Sequence, residues 1–239
     1  MDANQLILIA VAVGVGFFAQ GLVGFAASLI AFPILLQVFT FQEATAFLSF
    51  YFVVFSVYMV YKNHAMIDKK IVKNFIITVT LGFLAGVYLL KSLDSALLQK
   101  LLGAFLVLYV LQTLFLKKKI NWPDKFNWVA GLLGGAAAGI FLSGGQVFGT
   151  FLDNKLSSAA EVRATLIGVL AIGNFLRFPS LIATHLLTWD LFKLSIIFFP
   201  MFLVGMLVGQ KLFSRLNDKA LRFLILLFLI ISGFKLLLI

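Results

Sequence analysis

Apolar runs about twenty residues long, separated by short clusters of Lys and Arg, constrain this chain more than any other feature. A run of that length matches the hydrocarbon core of a bilayer, about 30 Å thick. Backbone N–H and C=O groups must find partners within the protein at that depth, which leaves helices or closed barrels. No alternating strand pattern is present, so the reading is helical. Breaking the chain at its polar clusters gives apolar stretches at 5–39, 43–61, 74–90, 96–116, 128–152, 164–184, 191–210 and 220–238. With 62% apolar and 12% charged residues, against about 45–50% and about 25% in soluble domains, a soluble single domain is excluded. The chain has no Cys and hence no disulfide framework. Its 239 residues leave almost nothing outside the membrane. The stretch from Leu6 follows no basic segment and ends in no A-x-A site, so it is read as a retained part of the fold rather than a signal peptide.

Two stretches are unlike ordinary spans. Residues 5–39 would make a straight helix of about 52 Å, too long for one crossing, and 128–152 is too rich in glycine for a single tight helix. At an offset of 118 the two fall on each other, with Gly16 on Gly134, Gly21 on Gly139 and Glu43 on Glu161. At an offset of 123, Gly82-x-x-x-Gly86 falls on Gly205-x-x-x-Gly209, and Leu93-Asp94 falls on Leu216-Asn217. The reading is a duplication, 1–120 and 121–239.

Positive charge collects in cytoplasmic loops, and this decides how the unusual stretches run. If every stretch crosses once, the basic residues divide ten to eight. If 5–39 and 128–152 each fold back as a helical hairpin, only Lys91, Lys100, Lys193 and Lys235 lie on one side and fourteen lie on the other, with Arg177 inside a span. The hairpin arrangement is therefore expected, with both termini outside the inner (cell) membrane. Each half becomes a hairpin plus three spans, an odd number of net crossings. The expected fold is an all-α membrane protein of two inverted repeats, the architecture of secondary transporters whose substrates bind near the midplane. The net charge of +10 is accounted for by the loops, and no nucleic-acid partner is expected.

The hairpin sequences GVGFFAQGLVGFAASLIAFP (from Gly14) and GLLGGAAAGIFLSGGQVFG (from Gly131) place their turns near Gly21–Ser28 and Gly139–Gln146. Short helices meeting there would point amide groups at an anion; the plainer alternative is that the glycines serve close packing. Gln20, Gly24, Ser28, Ser143, Gly144, Gly145 and Gln146 are the candidate contacts. Arg177 lies about 21 Å into its span, where a charge is costly and suggests a counter-charge to an anion, unless the side chain snorkels outward. Asn174 shares its helix face, and Pro179 is placed to kink that helix. Glu43 and Glu161 could couple protons, but Thr40-x-x-Glu43 and Ser158-x-x-Glu161 also read as capping boxes. His64 and His185 fit no metal-ligand spacing, and no Walker sequence is present, so neither metal, cofactor nor nucleotide hydrolysis is expected. Trp122, Trp128 and Trp189 stand at span ends as interface anchors.

The two glycine-rich hairpins, the repeat of about 120 residues and AEVRATLIGVLAIGNFLRFP from Ala160 resemble the sulfite exporter TauE/SafE family of membrane permeases. The similarity covers nearly the whole chain in arrangement. Phe25, Ala26 and Ala27 stand where members tend to carry glycines. The resemblance implies transport of sulfite, an organosulfonate or a related small anion. The reading is then a non-enzymatic secondary transporter, an exporter working by alternating access. Its pocket is expected between the hairpins and the spans near 43–61 and 164–184. A passive anion channel or a scaffold subunit is the alternative. Gly82/Gly86 and Gly205/Gly209 would pack within a protomer or between copies in a homo-oligomer.

Overall fold

The computed structural model describes residues 2–115, 127–152, 155–156, 158–212 and 218–238. Trp122, Lys117, Lys118, Lys119, Lys125, Arg215 and the Leu216-Asn217 loop lie outside these residues. The described chain is helical: α1 (Ala3–Val23), α2 (Ala27–Leu35), α3 (Phe41–Asn63), α4 (Lys69–Ser92), α5 (Ser95–Phe115), α6 (Asn127–Phe141), α7 (Gly145–Leu152), α8 (Ala159–Ala183), α9 (Trp189–Ile197), α10 (Phe199–Leu212) and α11 (Asp218–Leu237). Among them α1, α3, α4, α5 and α8 are each long and apolar enough to cross a membrane, and α9 with α10 make a sixth span if taken as one. This is a multi-pass membrane protein.

Short polar side chains start the helices by accepting the first N–H groups, which have no partner inside the helix. Asp2 takes the Gln5 N–H at 2.8 Å while the Gln5 side chain takes the Asp2 N–H. Asp68 takes those of Lys70 and Ile71, Asp94 that of Leu97, and Ser158 that of Glu161.

The breaks expected near Gly21–Ser28 and Gly139–Gln146 fall at residues 24–26 and 142–144. Their backbones match at the offset of 118. Gly24 (φ 94°) and Leu142 (φ 53°) are both left-handed, and α2 and α7 restart at Ala27 and Gly145. Glycine takes that conformation freely; leucine does so at some cost in strain.

The span expected over 191–210 is bent by 51° between α9 and α10, which meet at Phe198. Pro200 supplies the reason. It has no N–H to give the Ile196 carbonyl, and its ring would strike that carbonyl in a continuous helix, so it sits in the first turn of α10. Pro179 does not end its helix, and α8 runs through it to Ala183.

The chain packs as two compact units. One holds residues 1–44, 93–118 and 196–239, the other 45–92 and 119–195. In the first, α1 packs on α2 and α10, and α5 on α11; in the second, α4 packs on α6 and α8, and α7 on both α6 and α8. Each unit is built on a glycine seam. A methyl group on Gly82 would collide with the Leu132 carbonyl, and one on Gly86 with that of Ala136. In the other unit, Gly205 abuts the Gly14 carbonyl and Gly209 that of Phe18. Gly86 further meets the Gly139 Cα, as Gly209 meets that of Gly21. Such contact lets backbones approach closely, the main source of helix association where water supplies no hydrophobic drive. Under the offsets of 123 and 118 each contact maps onto its counterpart. Both glycine pairs thus pack within the protomer.

Candidate functional site

The second hairpin is closed tightly onto itself. Gly144 lies against the Gly134 carbonyl and the Phe148 ring, leaving no room for a side chain. The break is tied by Leu142 N–H to Ala138 O (3.1 Å) and Ser143 N–H to Ala137 O (3.3 Å). Ser143 Oγ donates to Gln146 Oε1 at 2.9 Å, and both side chains are buried. Gly145 opens α7 with no side chain over its amide.

Arg177 is brought to this break by α8. Its relative exposure is 0%, which excludes the snorkelling alternative. Nη1 donates to the Gly139 carbonyl at 3.3 Å and Nη2 to that of Ala138. The guanidinium therefore covers carbonyls in the last turn of α6, where the helix dipole leaves partial negative charge. Its Cζ lies 4.9 Å from the centroid of the Phe83 ring, a cation–π contact. Among the described residues Nε has no hydrogen-bond partner. A buried cation is tolerated when it is paired and hydrogen-bonded. Arg177 has carbonyls and a ring, but no carboxylate within salt-bridge distance among the described residues.

One turn earlier on α8, Asn174 Nδ2 donates to Ser56 Oγ at 2.8 Å in a buried bond. Ser56 and Phe83 escape a sequence reading: one serine on a long apolar helix and one of 28 phenylalanines carry no local mark. For Ser56 a usable signal exists in the repeat, since the offset of 118 places it on Asn174.

In the first hairpin the Gln20 side chain reaches across the break, and its Oε1 accepts the Ala27 N–H at 2.9 Å, capping α2. Ser28 is buried in the first turn of α2, and Gly24 donates its N–H to the Gln20 carbonyl at 2.8 Å. The candidate residues thus gather in two places. Gln20, Gly24 and Ser28 lie in one unit; Ser143, Gly144, Gly145, Gln146, Asn174 and Arg177 lie in the other.

Glu43 is exposed and closes a full capping box. Its Oε2 accepts from Thr40 N (2.9 Å) and Oγ1 (2.8 Å), and its own N–H goes to Thr40 Oγ1. Glu161 N–H bonds Ser158 Oγ at 3.1 Å, the serine half of such a cap on α8. Among the described residues no group of three His, Asp or Glu side chains is placed to hold a metal ion.

A protein-family model described as sulfite exporter TauE/SafE matches residues 8–236. No curated protein and no solved structure matches the chain.

Proposed function

The chain belongs to the sulfite exporter TauE/SafE family, whose members are membrane transporters of sulfite- and sulfonate-type anions rather than enzymes, and on that premise we propose that it is a secondary transporter carrying one such anion outward by alternating access. The observation that carries this reading is Arg177, wholly buried and without a carboxylate partner among the described residues. Its guanidinium presents five N–H donors in a planar fork, of which two meet carbonyls and that on Nε has no hydrogen-bond partner among the described residues. A small oxyanion supplies both the missing charge and the missing acceptors. Charge-assisted bonds to such a group are the strong kind, about 1.5–3 kcal/mol each. Ser143, Gln146 and Asn174 add polar groups on the same elements.

Two features support inverted repeats as the moving architecture. The reciprocal glycine seams, α4 on α6 and α10 on α1, pair a span of each half with the hairpin of the other in one register. Ser56 and Asn174, equivalent at the offset of 118, bond each other. In such transporters the substrate lies at the repeat interface, and rocking exposes it to each side in turn. The charge distribution favours both termini outside the inner membrane.

Flux of sulfite in proteoliposomes tests the proposal. A carrier gives a rate that saturates with sulfite concentration and responds to an imposed ion gradient. Flux that rises linearly without saturation, with single-channel conductance, would replace the carrier by a pore.

A further inference from the structure

We infer that the two hairpin breaks are not two copies of one site: the anion binds at the α6–α7 break alone, and the α1–α2 break is closed by its own glutamine. This rests on the anion-transport reading above and assigns that anion to one of the two hairpin breaks.

The backbones of the breaks are alike, with a left-handed residue at 24 and at 142 and a helix restart at 27 and at 145. What fills them differs. At the first, the N–H that opens α2 is taken by Gln20 Oε1 at 2.9 Å, in a buried bond. A neutral internal acceptor stands where an anion would stand. At the second, the position equivalent to Gln20 is Ala138, whose methyl group accepts nothing and whose carbonyl is held by Arg177. The position equivalent to Arg177 in the first half is Met59, buried and uncharged.

The two substitutions reinforce each other electrostatically. A helix end carries about half a unit charge, positive at the N-terminus and negative at the C-terminus. In a broken helix these ends lie close together, so an anion drawn to the α7 amides is opposed by the α6 carbonyls. Arg177 covers the carbonyls of Ala138 and Gly139 and thereby removes that opposition while adding a full positive charge. With Nε without a hydrogen-bond partner among the described residues and the side chain buried, the second break carries a full positive charge that the first does not. Gly145 carries no side chain beside the first amide of α7, whereas Ala27 presents a methyl group beside a donor already bonded.

The test is equilibrium binding of sulfite to the purified full chain in detergent, with stoichiometry read by titration calorimetry. One sulfite per chain is expected. Ala138→Gln places in the second break the acceptor that closes the first, and is expected to weaken sulfite binding by at least about tenfold. Gln20→Met is expected to lower the unfolding temperature while shifting the dissociation constant less than about threefold. Two sulfites per chain in the wild type, a readout that needs no variant to fold, would overturn the inference. So would a larger loss of affinity in Gln20→Met than in Ala138→Gln. Absence of sulfite and organosulfonate binding in the wild type would overturn the transport reading and this inference with it.

Discussion

Arg177→Gln is expected to reduce saturable sulfite flux by about 100-fold or more, the largest functional effect of any single substitution in this chain. Glutamine keeps hydrogen-bonding capacity and much of the length but removes the charge. If two charge-assisted bonds to the anion are lost, each worth about 1.5–3 kcal/mol, affinity falls by more than two orders of magnitude. Folding also suffers, because the guanidinium holds the Gly139 carbonyl at the end of α6, whereas the Ala138 carbonyl keeps the Leu142 N–H, and a buried carbonyl left bare costs about 1–3 kcal/mol. Arg177→Lys separates the two roles. Lysine keeps the charge as a single point without the planar fork, so it should retain measurable flux with weakened affinity. Flux in Arg177→Gln equal to wild type, in protein of normal unfolding temperature, would remove Arg177 from the anion site.

The largest effect on folding is expected from Gly209→Val. Gly209 faces the Phe18 carbonyl and the Gly21 Cα, which are backbone atoms and cannot rotate away. Overpacking a core with flexible neighbours costs about 1–3 kcal/mol; here α10 must separate from α1 along the whole seam, and the upper end of that range or beyond is expected. Gly86→Val makes the equivalent change against Ala136 and Gly139 and should be comparably severe. Gly14→Ala is the contrast, since a methyl group there meets no atom within 4 Å and the helix gains about 0.5–1 kcal/mol from the better helix former. Unfolding temperature and the folded fraction in size-exclusion chromatography read all three. A Gly209→Val protein as stable as Gly14→Ala would contradict the seam.

What was legible in the sequence was local or periodic. The hairpin breaks could be placed because 35 apolar residues exceed one bilayer crossing and the glycines mark where the chain turns. The box of Thr40 and Glu43 and the Ser158 cap on α8 could be placed because a cap is a four-residue pattern. The glycine pairs stood out, but the helices they pack on did not. Gly82 meets Leu132 and Gly205 meets Gly14, partners 50 and 191 positions away, a separation no local pattern encodes. The break at Phe198 was missed because hydropathy runs on unbroken through Pro200; only the missing N–H and the ring stop the helix.

At the site, Arg177 was conspicuous as a charge in an apolar run, yet its orientation was not. That its head lies on the α6 carbonyls, with Phe83 beneath, depends on how α4, α6 and α8 pack. Gln20 is a second case. As a polar group in apolar surroundings it needs a partner, and its Oε1 finds one in the Ala27 N–H seven residues on, a bond that no local pattern marks.

The most direct measurement of the central claim, that this chain is an anion carrier, is counterflow. Proteoliposomes loaded with unlabelled sulfite are diluted into a trace of labelled sulfite, and the label inside is followed with time. A carrier returns labelled sulfite on each inward passage, so transient accumulation above the outside concentration is predicted, suppressed by a short organosulfonate in the external medium. Label that rises only to equilibrium, at the same rate with or without the internal load, would contradict the account.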